Sequence, residues 1–258
     1  MNSQTEELYE AAIKVAKIAG EVTLKYFRKD LEIISKQDDS PVTVADREAE
    51  KAMRSFIMET FPEHGIIGEE FGSHNDKASV KWILDPIDGT VGFIHGIPLY
   101  TNLVGITVDD VPTVGVIHAP YMNELVAGAT GVGAYFNDTK TSIRPCNSLA
   151  NASMMTTDVQ FFNTYGYKAS FEHLLTKVKT HRTYGDAYGY LMVATGRADI
   201  MFDPDLKIWD AAALLPVIEQ AGGSFTDLKG NARVDGDSGL ACSPELKKEL
   251  LHIFETHS

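Results

Sequence analysis

Apolar side chains at Leu8, Ala11, Ala12, Val15, Ile18, Ala19 and Val22 recur at three- and four-residue steps, which predicts a long amphipathic helix with a buried stripe. Ser3 with Glu6 three residues on is a capping box for its start. A polar break over residues 36–40 follows, and Ala49, Met53, Phe56, Ile57 and Phe61 then mark a second helix, ended by Pro62 and with Asp46 near its entrance. Over residues 65–136 the pattern changes to short β-rich runs, Trp82-Ile83-Leu84, Leu103-Val104-Gly105-Ile106-Thr107-Val108 and Val114-Gly115-Val116-Ile117, separated by Gly, Pro, Asn and Asp. This segment reads as an antiparallel sheet.

The remainder alternates: a strand at Met154, helices over 171–178 and 188–194, a strand at Ile200-Met201-Phe202, a helix over 209–220 despite Pro216, a stop at Gly222-Gly223, and a last helix opened by Ser243-Pro244-Glu245. Alternation of this kind implies an α/β layer. The composition shift near residues 146–150 divides the chain into an N-terminal α+β half, 1–147, and a C-terminal α/β half, 148–258. The connection is short, so the halves are expected to pack as one rigid unit.

Of the 258 residues, 44% are hydrophobic and 23% charged, ordinary for a globular chain and enough for a sizeable core. The balance of 23 basic against 36 acidic residues gives −13 with no Lys/Arg cluster, which argues against nucleic acid as a partner because backbone neutralisation needs several cations together. Cys146 and Cys242 stand far apart without a CxxC pair, so neither a disulfide framework nor a zinc cage is expected. With no basic, apolar leader and no stretch approaching a membrane span, the expectation is a cytoplasmic protein with no membrane partner.

The candidate chemistry begins at Trp82-Ile83-Leu84-Asp85-Pro86-Ile87-Asp88-Gly89-Thr90, where a hydrophobic strand runs into two carboxylates, a proline, a glycine and a hydroxyl. Asp85 and Asp88, three apart across a turn restrained by Pro86, can converge with the Ile87 carbonyl on one point, and such hard oxygen donors suit Mg²⁺. Gly89 allows close approach of a ligand, and a helix beginning at Thr90 would favour phosphate. Asp-Pro and Asp-Gly are also ordinary turn dipeptides. Further acids in Gly68-Glu69-Glu70-Phe71-Gly72, in Trp209-Asp210-Ala211-Ala212 and at Asp46 each have a structural reading, as loop charge or helix cap; their joint occurrence makes the case for a site.

The stretches VTVADREAE from Val42, GEEFG from Gly68, WILDPIDGT from Trp82 and WDAAA from Trp209, in this order and spacing, resemble the inositol monophosphatase family of Mg²⁺-dependent, lithium-sensitive phosphatases. The resemblance covers nearly the whole chain. It implies an α+β fold, a layered αβαβα sandwich, and a homodimer or another small symmetric assembly. It further implies two or three Mg²⁺ per site held by Glu69, Asp85, the Ile87 carbonyl, Asp88 and Asp210, with Gly89 and Thr90 amides on phosphate. Asp46 would pair with Thr90, and these two with Glu69 would orient the attacking water. Such cations answer the difficulty of the reaction, since a phosphate monoester repels an incoming oxygen nucleophile.

Two departures bear on the alcohol. Asp186, in Gly185-Asp186-Ala187-Tyr188-Gly189-Tyr190, stands where inositol phosphatases usually carry serine, and Asp203 stands seven residues before Asp210 in place of their glutamate. Extra acid near the leaving group suggests a cationic alcohol. These segments, with Gly92-Phe93-Ile94-His95-Gly96-Ile97-Pro98, look like the histidinol-phosphatase branch, whose substrate L-histidinol phosphate carries an ammonium that Asp186 could meet. Asp186 also has a plain reading as a helix N-cap. The alternatives are an inositol-1-phosphate phosphatase, a broad sugar or nucleotide phosphatase, and, in another class, a regulatory binding protein on the same fold. His95 and the tyrosines Tyr184, Tyr188 and Tyr190 read as structural, and Gly131-x-Gly133 as a hairpin rather than a dinucleotide fingerprint, because Phe136 occupies the third glycine position.

Overall fold

The computed structural model describes residues 3–29, 33–35 and 41–257; the polar break at 36–40 lies outside the described residues. Helices α1 (Ser3–Tyr26) and α2 (Val44–Thr60) are joined through the short antiparallel strands β1 (Ile33–Ser35) and β2 (Pro41–Thr43). Ser3 already lies within α1, one position earlier than its capping box placed the start. An eight-stranded sheet follows: β3 (Gly65–Gly68), β4 (Gly72–His74), β5 (Val80–Asp88), β6 (Thr101–Val108), β7 (Val111–Ala119), β8 (Glu124–Ala129), β9 (Gly133–Phe136) and β10 (Thr139–Lys140), with α3 (Thr90–Ile94) between β5 and β6. Its order is β10-β9-β8-β7-β6-β5-β3-β4. The expectation of a wholly antiparallel sheet is corrected at one edge, where β3 pairs with β5 in parallel because β4 takes up the return of the chain.

The rest of the chain builds a five-stranded sheet, β12-β11-β13-β15-β14, from β11 (Ser153–Met155), β12 (Thr180–Arg182), β13 (Ile200–Asp203), β14 (Ser224–Thr226) and β15 (Gly239–Cys242). Its helices are α4 (Val159–Thr164), α5 (Lys168–Lys177), α6 (Asp186–Ala194), α7 (Ile208–Gln220) and α8 (Pro244–Thr256). Pro244 occupies the first turn of α8 as expected, whereas the Ser243 hydroxyl donates to the Cys146 carbonyl instead of capping the helix. None of the described helices is long and apolar enough to cross a membrane.

Side-chain alternation sorts the strands into three apolar slabs. Trp82, Leu84, Val104, Ile106 and Val116 meet α1 and α2 on one face of the large sheet, while Ile83, Leu103 and Ile117 meet α6 and α7 on the other. Met155, Met201, Phe225 and Ala241 close that second slab from the small sheet, and Met154, Ile200, Phe202 and Leu240 face α5 and α8. The result is the layered αβαβα sandwich.

What presses α7 onto the large sheet is a row of glycines. Gly105, Gly115 and Gly128 are neighbours across β6, β7 and β8, and a Cβ on Gly105 would come 2.6 Å from Ala212 Cβ, while one on Gly115 would overlap the Ala213 carbonyl. Gly115→Ala should therefore destabilise the protein by about 2 kcal/mol through overpacking, read as a lower urea midpoint; an unchanged midpoint would mean α7 is not held at this distance.

Candidate active site

The local geometry starts from a β-bulge. Asp85 pairs with Leu103 and Asp88 with Thr101, so three steps on β5 run against two on β6. In a regular strand, residues three apart point to opposite faces; the extra residue cancels that and puts Asp85 and Asp88 on the same side, toward α7. The motif is thus a bulged strand rather than a turn. Pro86, with no N–H to give the ladder, is where pairing lapses; its carbonyl accepts from Asn102 Nδ2 at 2.6 Å, and Ile87 N donates to Asp85 Oδ1 at 2.9 Å.

Asp210 arrives from the opposite layer. It is the third residue of α7, not its cap: one oxygen accepts from Lys207 N at 2.7 Å and the other is left for the sheet. Oxygens of Asp85, Asp88 and Asp210 lie within 4.8 Å of one another. Glu69, on the tip between β3 and β4, adds its charge to this trio and helps to raise the Asp85 carboxyl.

Burial pushes the Asp85 carboxyl well above the usual carboxylate range, reinforced by Glu69, Asp88 and Asp210; Asp88 is pushed the same way by burial and by Asp186. Asp210 is pushed up to about 8 by burial and Asp88. Among the described residues, no Lys or Arg forms an ion pair with any of Asp85, Asp88, Asp186, Asp203 and Asp210. Clustered acids without a countercharge are a costly arrangement that a divalent ion relieves, and an all-oxygen donor set fits Mg²⁺.

Beside this cage Gly89 takes the left-handed conformation, φ +80°, and opens the short helix α3. Thr90 Oγ1 lies 3.0 Å from the Ile87 carbonyl and 3.3 Å from Asp46 Oδ1, so the expected Thr90–Asp46 contact is present but shared. Asp46 is buried at the start of α2, and its Oδ2 accepts from Thr43 N at 2.8 Å and Thr43 Oγ1 at 2.7 Å.

Asp186 and Asp203 are brought to the same place. With Asp88, Thr157, Phe161 and Asp210 they line one small pocket. Burial pushes each up to about 7, with Asp203 adding to it at Asp186 and Asp210 adding to it at both. Asp186 does not cap α6. It is the helix's first residue, held at φ +51° with its N–H on Thr157 Oγ1 at 2.8 Å, and its carboxylate lies 2.8 Å from where a Cβ on Gly89 would stand. The next amide, Ala187 N, donates to Asp88 Oδ2 at 2.7 Å, so the start of α6 stabilises a cage carboxylate.

Sequence reasoning missed Thr101, which donates to Asp88 Oδ2 at 3.0 Å, and Thr157, because a threonine in or beside a strand carries no signal beyond β propensity. Among the described residues, the His95 ring bonds locally, Nδ1 to the Val91 carbonyl at 2.7 Å. Tyr190 is fully buried, lines the same pocket as Asp186 and Asp203, and donates its hydroxyl to the Gly239 carbonyl at 3.3 Å; Tyr188 donates to Glu124 Oε2 at 3.2 Å, where Arg197 also binds. Gly131 lies in the β8–β9 turn and Gly133 opens β9, paired with Ala129 in a hairpin.

The sequence profile of the inositol monophosphatase family matches residues 4–258. The histidinol-phosphatase of Chlorobaculum parvum is 35% identical over 242 residues, spanning 93% of this chain and 93% of that protein. The histidinol-phosphatase of Mycobacterium tuberculosis is also 35% identical, over 93% of this chain and 95% of its own. A solved inositol monophosphatase from Zymomonas mobilis superposes with a TM-score of 0.88 at 32% identity, covering 98% of this chain and all of the other.

Proposed function

This chain belongs to the inositol monophosphatase family of phosphatases, and we propose that it hydrolyses L-histidinol phosphate in the presence of Mg²⁺. The observation that carries the choice of substrate is the Asp186 carboxylate, free of any capping duty and lying against Gly89. A phosphoryl group resting on the Gly89 and Thr90 amides would put the first carbons of its alcohol near Asp186 and Asp203, where an ammonium finds two acids and a neutral polyol leaves them unpaired.

Glu69, Asp85, the Ile87 carbonyl, Asp88 and Asp210 would hold the metal. Bound there, Mg²⁺ would offset the charge of the phosphoryl oxygens and of the departing alkoxide. The chain itself supplies orientation. Thr90 Oγ1, donating to Asp46, can accept a hydrogen bond from the attacking water, and buried Asp46 is kept in place by Thr43. Glu69 provides a second acceptor for that water. No cysteine nucleophile or GxSxG elbow is available, in keeping with direct attack by water.

A panel of esters with Mg²⁺ titrated tests this reading. Phosphate release should require Mg²⁺ and be faster on L-histidinol phosphate than on inositol 1-phosphate. Asp186→Ser should lower kcat/KM for histidinol phosphate about 10- to 100-fold and narrow its margin over inositol 1-phosphate, the size expected when a buried charge loses its partner. Unchanged discrimination would remove Asp186 from substrate choice, and a protein releasing phosphate from no ester would overturn the reading whole.

A further inference from the structure

Glu50 lies on α2 one helical turn beyond Asp46, on the same buried face as Ala45, Ala49 and Met53, and its side chain is fully buried. Its carboxylate is turned onto the backbone of the tip that carries Glu69. Oε2 accepts from Glu70 N at 2.7 Å; Oε1 accepts from Phe71 N at 3.2 Å and from Arg54 Nε at 2.7 Å. Arg54 in turn donates Nη2 to the Gly72 carbonyl, so the pair grips the tip from both ends. Any Cβ on Gly68 would overlap the Glu50 carboxylate, which shows how closely the end of β3 is drawn against α2. On the far side, Glu69 N donates to the Leu84 carbonyl at 3.2 Å, one residue before Asp85.

A three-residue tip between two strands ordinarily leaves its amides to water and moves freely. Here two of them are held by a buried carboxylate, and bonds of this charge-assisted kind are the stronger class. The same helix face reaches Thr90 through Asp46 and the Glu69 tip through Glu50, so one rigid element sets the positions of two walls of the site. We propose that Glu50 is a positioning residue: by holding the Glu70 and Phe71 amides it sets Glu69 at the height where its carboxylate joins Asp85, and thereby sets the affinity of the cage for Mg²⁺. This rests on the reading that Glu69, Asp85, Asp88 and Asp210 hold the metal.

The test compares wild type, Glu50→Gln, Glu69→Gln and the double variant, following the rise in Tm with added Mg²⁺ in the absence of substrate, and kcat and KM with it. Loss of groups that support metal ligands typically costs 10- to 100-fold in affinity or activity. Glu50→Gln should therefore need about tenfold more Mg²⁺ or above for half the Tm rise, with kcat at fixed Mg²⁺ reduced and KM nearly unchanged. The double variant should bind Mg²⁺ no more weakly than Glu69→Gln alone, because Glu50 acts through Glu69. A lower Tm for Glu50→Gln with a wild-type Mg²⁺ midpoint would overturn the proposal and leave the metal reading standing, as would losses that multiply in the double variant. If Glu50→Gln does not fold, Glu50→Asp, which keeps the charge but draws it back by one methylene, is judged by the same two criteria. A wild-type Mg²⁺ midpoint in Glu69→Gln would instead overturn the metal reading and the proposal together.

Discussion

Asp88→Asn is expected to reduce Mg²⁺-dependent phosphate release about 10³-fold or more while the protein still unfolds in one cooperative step. A metal ligand is credited with several kcal/mol of charge stabilisation in the transition state, and each ~1.4 kcal/mol is tenfold in rate. An amide is almost the same size as a carboxylate, and its oxygen can accept from both Ala187 N and Thr101 Oγ1, which share Oδ2 in the wild type, so the fold loses little. In the metal-free protein the variant should be at least as stable as wild type, since one member of a crowded anionic cluster has been neutralised. Activity within tenfold of wild type would remove Asp88 from the ligand set, and loss of cooperative unfolding would assign it a structural duty instead.

Stripped of divalent ions by EDTA, the protein should become more stable as pH falls from about 8.5 to about 6.5, and Mg²⁺ added at pH 8 should abolish most of that dependence. Asp186 and Asp203 are pushed up to about 7 and Asp210 up to about 8, chiefly by burial, whereas in the unfolded chain such groups titrate near 4. Through this window the folded protein takes up protons that the unfolded chain does not, so stability rises as pH falls and is lost as pH climbs through the folded values. The gain should be about 3 kcal/mol, or roughly 5–10 °C in Tm for a chain of this size. Burial lowers the pKa of His64, His118 and His181, so they oppose the trend once pH drops below their unfolded value of about 6.5, which sets the lower limit of the measurement. A Tm independent of pH in EDTA would show that these carboxyls are not crowded against one another.

The longer helices and the strands β5, β6, β7, β11 and β13 were legible because their apolar spacing repeats locally: α2 occupies Val44–Thr60 where the apolar run ending at Pro62 put it, and α7 runs Ile208–Gln220 straight through Pro216. The parallel pairing of β3 with β5 was not legible, since nothing in Gly65–Gly68 says which neighbour it takes or in which direction. Asp85 and Asp88 stood out as candidate donors within one motif, whereas Glu69 and Asp210 each read alone as loop charge or helix cap and became candidates only through their joint occurrence and the family resemblance. The only local signal for Glu50 within VTVADREAE is that an acid stands four residues after Asp46 on a face of alanines and methionine.

The family resemblance carried by the four motifs implied the layers and the reaction type, while local spacing by itself marked Asp85, the Ile87 carbonyl and Asp88 as candidate oxygen donors, because those three stand within four residues of one another. Whether the donors meet depended on facts with no local signature. A single extra residue at Pro86 and Ile87 turns Asp85 and Asp88 to one side, a row of glycines admits α7 close enough for Asp210 to reach them, and a left-handed backbone at Asp186 aims its carboxylate at Gly89 rather than along its own helix. Each of these is settled by packing between segments far apart in the chain, where strand parity and interlayer distance are decided by the partner and not by the residues that carry the chemistry.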